Sequence, residues 1–320
     1  MRVLKTGSLG LVLFLAANAN AQDRASHRLT IHLADKATWQ SVISNRSTAV
    51  PADPMISNGE TQQSFRYQIK AEGVGFIISR HELSRTDDRK PSTLLPDVSD
   101  VTAGTVDAFR DIDFRADSSL MPQEVVNLSD IDAKQHDYAT KTFGKDMADK
   151  MVKDEATSAS IIADSLWTEA LLARVRQADL VVGLPWAEPD TVPSIAGRAD
   201  AAAQTTITLD SWDLSTGHAT YTLTTQIDPD AKTAQLTAFF QSFLYPLNTM
   251  DNDQIATWKK KSAELAALAD YTNGKKCTLS GDIRTGLILE AHCLVEMHLK
   301  STIFSQSAES EVRVLQVPGT

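Results

Sequence analysis

Glu290, His292, Glu296 and His298 alternate along one stretch of the chain, and imidazoles mixed with carboxylates are the ligand chemistry of a zinc ion. Alternate residues of a strand share a face, so His292, Glu296 and His298 are the best metal candidates. Their spacing argues against them. Ligands strung along one strand spread over more distance than a single ion bridges, and a half-buried strand needs a polar wet face in any case. Asp111, Asp113 and Asp117 begin like a calcium loop, but the loop's glycine and closing glutamate are missing and Phe114 interrupts it. Downstream of Ala21 there is no Gly-x-Ser-x-Gly elbow for a nucleophilic serine and no glycine loop for phosphate. Histidines 27, 32, 81, 136 and 218 are scattered among neighbours that suggest no base. The expectation is therefore no cofactor, no metal and no catalytic motif. A hydrolase built from separate loops, most plausibly 85–100 and 183–204, stands as the alternative.

The two cysteines, Cys277 and Cys293, carry the one covalent prediction. Paired residues of a hairpin keep a constant sum of residue numbers. A three-residue loop Arg284-Thr285-Gly286 would pair Ile283 with Leu287, and 283 + 287 = 570 = 277 + 293. Gly286 stands third in that loop, where a left-handed residue is favoured. The cysteines should thus face each other directly across the hairpin, at α-carbon separations a disulfide accepts. Such a bridge is worth on the order of 3 kcal/mol. No Cys-x-x-Cys spacing points to a redox pair instead.

The elements that must position these residues read as strands and inserted helices. Period-2 alternation marks Leu29-Ile31-Leu33, Phe65-Tyr67-Ile69, Val74-Phe76-Ile78, Val106 to Phe114, Ile207-Leu209, Ala219-Tyr221-Leu223, Ala234-Leu236-Ala238, Leu287 to Leu299 and Glu311 to Val317. Asp228-Pro229-Asp230 reads as a turn, and the prolines at 185, 189 and 193 as a long loop. Residues 130–179 lack proline and are rich in helix formers. A further helix should start near Asp251 and end at Gly274. The class is α+β: a predominantly antiparallel, curved sheet with helices inserted around 130–178 and 251–272. Residues 22–320 form one envelope domain, with the alternative of two β-rich halves, 22–120 and 205–320, joined by a helical segment 124–178.

The N-terminus has the three parts of a signal peptide: basic Arg2 and Lys5, an apolar run from Leu9 to Ala17, and Ala19-Asn20-Ala21 before polar Gln22. The apolar run is far shorter than the roughly 20 residues that span a bilayer, so residues 1–21 are expected to be removed between Ala21 and Gln22. No other segment has spanning length. Removal takes two basic residues, leaving 31 − 2 = 29 against 41 acidic ones, a net charge of 29 − 41 = −12. An acidic surface repels phosphate backbones and anionic membranes, which excludes nucleic acid as a partner. Export also favours an oxidised cysteine pair.

The run Cys277-Thr-Leu-Ser-Gly-Asp-Ile-Arg-Thr-Gly-Leu287 before a long alternating strand resembles the endings of uncharacterised secreted β-rich protein families of bacteria. A strand, a proline and an asparagine ahead of central helices, as in Phe109 to Phe114, Pro122 and Asn127, extend the resemblance. It implies an envelope protein with a curved antiparallel sheet partly covered by helices, similar in shape to a lipoprotein-carrier half-barrel that holds acyl chains in its concavity. The functional expectation is a non-enzymatic periplasmic or secreted protein that binds an apolar small molecule or an envelope protein against that sheet.

Overall fold

The structure, a computed structural model, describes residues 25–50, 58–88, 108–151, 157–193, 195, 200–243, 252–302 and 305–319. The signal peptide with Ala21 and Gln22, most of the 85–100 loop and the Asp251 cap lie outside them. The described residues open with β1 (Ser26–His27), then a meander of β2 (Thr38–Val50), β3 (Gly59–Glu72), β4 (Gly75–Asp87), β5 (Asp111–Ala116) and short β6 (Pro122–Val125). Four helices follow: α1 (Leu128–Phe143), α2 (Lys145–Met151), α3 (Ser158–Ser165) and α4 (Trp167–Arg174). Next come β7 (Leu180–Val181), β8 (Pro185–Val192), β9 (Ala201–Asp213) and β10 (His218–Ile227), then helices α5 (Pro229–Phe243) and α6 (Asn252–Leu268). The last strands are β11 (Asp270–Asp282), β12 (Ile288–Lys300) and β13 (Ser305–Pro318).

Eleven strands make one antiparallel, curved sheet in the order β6-β5-β4-β3-β2-β13-β12-β11-β10-β9-β8. The first long strand and the last pair in its middle, from Trp39 opposite Pro318 to Val50 opposite Ser307. That seam joins the two strand groups into a single sheet. Both edges are blunted by proline, Pro122 on β6 and Pro185 with Pro189 on β8, and a strand that lacks N–H donors resists pairing with another chain.

One face of the sheet is covered and the other open. Period-2 alternation sends Trp39, Tyr67, Ile78, Phe114, Ile207, Tyr221 and Leu279 to the covered face, where they meet Ile161 of α3 and Leu171 and Leu172 of α4. Burying each such large side chain is worth about 1.5–3 kcal/mol. Thr157 starts α3 with a capping box: its hydroxyl accepts from the Ser160 amide at 3.1 Å, and its own amide donates to the Ser160 hydroxyl at 3.0 Å. A second cluster covers the other end of the same face, with Leu236 and Phe240 of α5 and Ala266 of α6 on Tyr271 and Leu299.

Four elements depart from the sequence reading. Leu29, Ile31 and Leu33 do alternate into the core, but their segment runs over the β11–β12 turn rather than along a strand edge, with the His32 amide donating to the Thr285 carbonyl at 3.0 Å. The region expected to loop at 185–193 is edge strand β8, the one place in a sheet that tolerates prolines. Residues 234–238 are helical, because Pro229 starts α5 at its first position, where its missing N–H costs nothing, and the Lys232 amide donates to the Asp228 carbonyl at 2.8 Å. Helix α6 stops at Leu268, and Gly274 lies inside β11.

The disulfide is present. Cys277 and Cys293 are directly opposed, with α-carbons 4.0 Å apart, and both are buried. The counted register, 570, holds from Asp270 opposite Lys300 to Ser280 opposite Glu290, then a bulge shifts it so that Gly281 faces Ile288. The turn is therefore longer than three residues, although Gly286 does take the left-handed conformation at φ 77°.

Candidate functional site

The covered face ends, at β2–β4, in a partly enclosed cavity of ≈ 150 Å³ beneath the junction of α3 and α4. Inward residues of three strands line it: Ile43 and Asn45 of β2, Thr61, Gln63 and Phe65 of β3, and Arg80, Glu82 and Arg85 of β4. Ser165, Trp167 and Thr168 roof it, and Phe109 closes one side. Glu82 and Arg85, three apart, would lie on opposite faces of a regular strand. A bulge opposite Ser64 and Phe65 shifts the register there and brings them together. Arg85 then donates to the Glu82 carboxylate through Nε at 3.0 Å and Nη2 at 3.3 Å.

Arg80 is the unusual member. Only 4% exposed, its guanidinium lies over the Phe65 ring, 4.6 Å from the centroid. It donates through Nη1 to the Ser165 carbonyl at 2.5 Å and to Glu169 Oε1 at 3.2 Å. Its Nε is buried and meets no acceptor. Glu169 Oε1 also accepts from the Tyr67 hydroxyl at 2.7 Å, while Oε2 is buried without a donor. Burial, reinforced by the Glu169 charge, pushes the Tyr67 phenol well above its ordinary range. Tyr67 in turn stacks on Trp39, with ring centroids 4.9 Å apart.

Beside this cavity, under α4, the described side chains pack closely. Among Trp39, Tyr67, Phe114, Glu169, Leu172 and Gln316 the remaining space is ≈ 20 Å³, about that of one water molecule. Arg176 pins the end of α4 there, donating from Nε to the Gly286 carbonyl at 2.8 Å and from Nη1 to the Ser119 carbonyl at 3.2 Å. Its burial lowers its pKa to about 10. The large apolar concavity expected from the sequence is thus occupied by α3, α4 and residues 28–33.

A second, half-buried charge group lies near the β8 edge. Arg174 holds Asp190 with two 2.8 Å bonds and Glu188 with one of 3.1 Å, and Thr205 donates to Asp190 at 2.6 Å. Lys275 stands beside them on β11. It is half-buried, has no hydrogen bond or ion pair among the described residues, and burial lowers its pKa. Of these, Glu188 and Asp190 are the carboxylates that the 183–204 side of the loop-built hydrolase supplies. Its carboxylates are bound by arginine, and residues 89–107, on the other side, lie outside the described residues.

The open face carries the metal candidates apart from one another. His292 Nε2 lies 2.7 Å from Glu311, and His298 Nε2 lies 3.9 Å from Glu309. Glu296 borders a ≈ 360 Å³ open hollow around Gly274. Six residues of strand separate the two histidines by about 20 Å, and among the described residues no His, Cys, Asp and Glu group is placed to hold a metal ion. Of the calcium candidates, Asp111 pairs with His81 and Lys134, while Asp117 accepts from the Ser119 and Met121 amides within its own turn. No described helix is long and apolar enough to cross a membrane.

Sequence reasoning missed Arg80, Glu82, Arg85 and Glu169. A signal existed: Phe76, Ile78, Arg80 and Glu82 share one phase, so two charges continue a row that opens with apolar residues.

No family model and no curated protein matches the chain. Among solved structures it is similar in outline to one titled for lipid–protein interactions in lipovitellin, with 8% sequence identity and a TM-score of 0.46 over 89% of this chain. The likeness covers 25% of that chain.

Proposed function

We propose that this is an exported, non-enzymatic binding protein for a small molecule with an apolar body and one polar group, taken into the cavity beneath α3 and α4. The observation that carries the reading is the partly enclosed cavity of ≈ 150 Å³ itself, where Ile43, Phe65, Phe109 and Trp167 supply apolar surface among polar neighbours and the buried cation Arg80 stands in the wall. Ligand pockets pair apolar surface with placed polar groups that fix a ligand's orientation. Binding is favoured over catalysis because the ionisable groups nearby are engaged with one another, Glu82 with Arg85 and Glu169 with Arg80. Export rests on the signal-peptide pattern ending at Ala21.

Native mass spectrometry of the protein from a periplasmic extract tests both parts. The expected denatured mass begins at Gln22 and includes the disulfide, and the native mass exceeds it by one small organic molecule. A chain that retains residues 1–21 rejects export, and a native mass equal to the denatured mass rejects tight binding.

A further inference from the structure

We infer that the hollow around Gly274 binds the phosphate of a small phosphomonoester through Lys232, Lys275 and Lys276. The site lies on other strands than the cavity beneath α3 and α4 and does not depend on it. Strand β11 pairs with β12 as far as Asp270 but keeps β10 only as far as Gly274 opposite Gln226. Beyond that pair β10 leaves for α5, and β11 has no strand partner on that side. The hollow, ≈ 360 Å³, lies at this parting. Consecutive residues line it, 224–227 of β10 and 271–276 of β11, whereas an unbroken sheet would divide them between its two faces. Gly274 leaves the floor without a side chain, and a Cβ there would lie 2.7 Å from the Thr225 carbonyl oxygen.

The charges around it set the ligand's class. Lys232 comes from the first turn of α5, Lys275 and Lys276 from β11, and the one carboxylate in the lining is Glu296. None of these four side chains makes a hydrogen bond or ion pair among the described residues, whereas Lys134, Lys141 and Lys145 each pair with an aspartate. In a chain of net charge −10, three unpaired ammonium groups against one carboxylate leave a local surplus of positive charge. A phosphomonoester carries about −1.5 to −2 at pH 7, with three acceptor oxygens on one atom, and would supply the counterion that each lysine lacks. Lysine meets phosphate as a point charge, where the planar fork of arginine, which the lining does not contain, would suit a carboxylate. Thr224, Gln226 and Thr272, whose side chains are also unengaged among the described residues, add neutral donors. The volume falls in the range of small-molecule pockets, so the phosphate enters with the organic group it esterifies.

Isothermal titration of the mature protein at pH 7 with glycerol 3-phosphate, glycerol and succinate tests the site. Glycerol 3-phosphate should bind one to one and glycerol not at all. Succinate, whose two charges sit at separate ends, should bind about tenfold more weakly. Lys232→Gln and Lys276→Gln should each weaken glycerol 3-phosphate about tenfold, while Lys141→Gln, at a paired lysine of α1, should leave it unchanged. Thermal unfolding confirms that the variants are folded. Equal binding of succinate and glycerol 3-phosphate overturns the phosphate assignment, and an affinity that survives both hollow variants overturns the location. No binding to folded wild type overturns the inference as a whole, and the mass of a ligand retained from the extract decides separately whether the cavity beneath α3 and α4 is occupied. Pelleting with phosphatidate vesicles separates the two sources of such a phosphate. The chain's net negative charge predicts that the protein stays in the supernatant, as for a soluble ester, and co-pelleting assigns the phosphate to a lipid headgroup.

Discussion

Tyr67 and Glu169 are joined by a 2.7 Å hydrogen bond that ties α4 to the middle of the sheet, and Arg80 completes the group from the next strand. Removing different members should cost different amounts. Tyr67→Phe loses one bond to a charged acceptor and should destabilise by about 1.5–3 kcal/mol. Glu169→Gln leaves the Arg80 charge buried without its counterion and should cost about 3–5 kcal/mol. Urea unfolding separates the two, and a Glu169→Gln cost no larger than that of Tyr67→Phe would sink the buried ion pair.

Two left-handed glycines should respond unequally to alanine. At Gly73, φ 59°, a Cβ meets nothing, so the substitution should cost only the conformational strain of about 1–2 kcal/mol. At Gly286, φ 77°, the same Cβ would lie 2.1 Å from the Thr30 carbonyl oxygen. The added backbone clash should bring that loss above about 3 kcal/mol. Equal midpoints in thermal unfolding would mean that residues 28–33 are not packed over the β11–β12 turn.

Lys275 gives a pH dependence of defined sign. Burial lowers its folded pKa below the unfolded value, so the unfolded chain binds more protons in between, and stability rises with pH through that window. The charged form penalises folding at every pH below it. Lys275→Met should therefore raise the melting temperature at pH 7, and its advantage should shrink as the pH climbs toward the ordinary lysine value. A melting temperature lowered by the methionine at pH 7 would show that the ammonium has a favourable partner.

Replacing Cys277 and Cys293 together by alanine should cost about 2–4 kcal/mol, chiefly by freeing the unfolded chain. The change should appear as a lower urea midpoint, with reductant then having no further effect on the variant. An unchanged midpoint would show that the opposed strands gain nothing from their crosslink.

The disulfide register and long β12 were legible because alternation and residue counting are local properties of one hairpin. Strand β8 was not, since prolines read as loop unless the strand is known to lie at an edge. Asp228-Pro229-Asp230 suits a turn and a helix start equally, and only Leu236 and Phe240, four apart and buried together, tip it to helix. The cavity was hidden for a different reason. Arg80 and Glu169 are 89 residues apart, and no local pattern reveals that a helix far along the chain lowers its carboxylate onto a particular strand.

The seam between β2 and β13 also sets when this molecule can exist. Each strand group can form hairpins as it is made, but β2 has no neighbour on one side until β13 has been synthesised. The closing step joins segments at opposite ends of the chain, and such non-local pairing is slow. Until it occurs, β2 and β12 are both unprotected edges in the middle of what will be the sheet. An unfinished chain is therefore sticky where the finished protein is sealed.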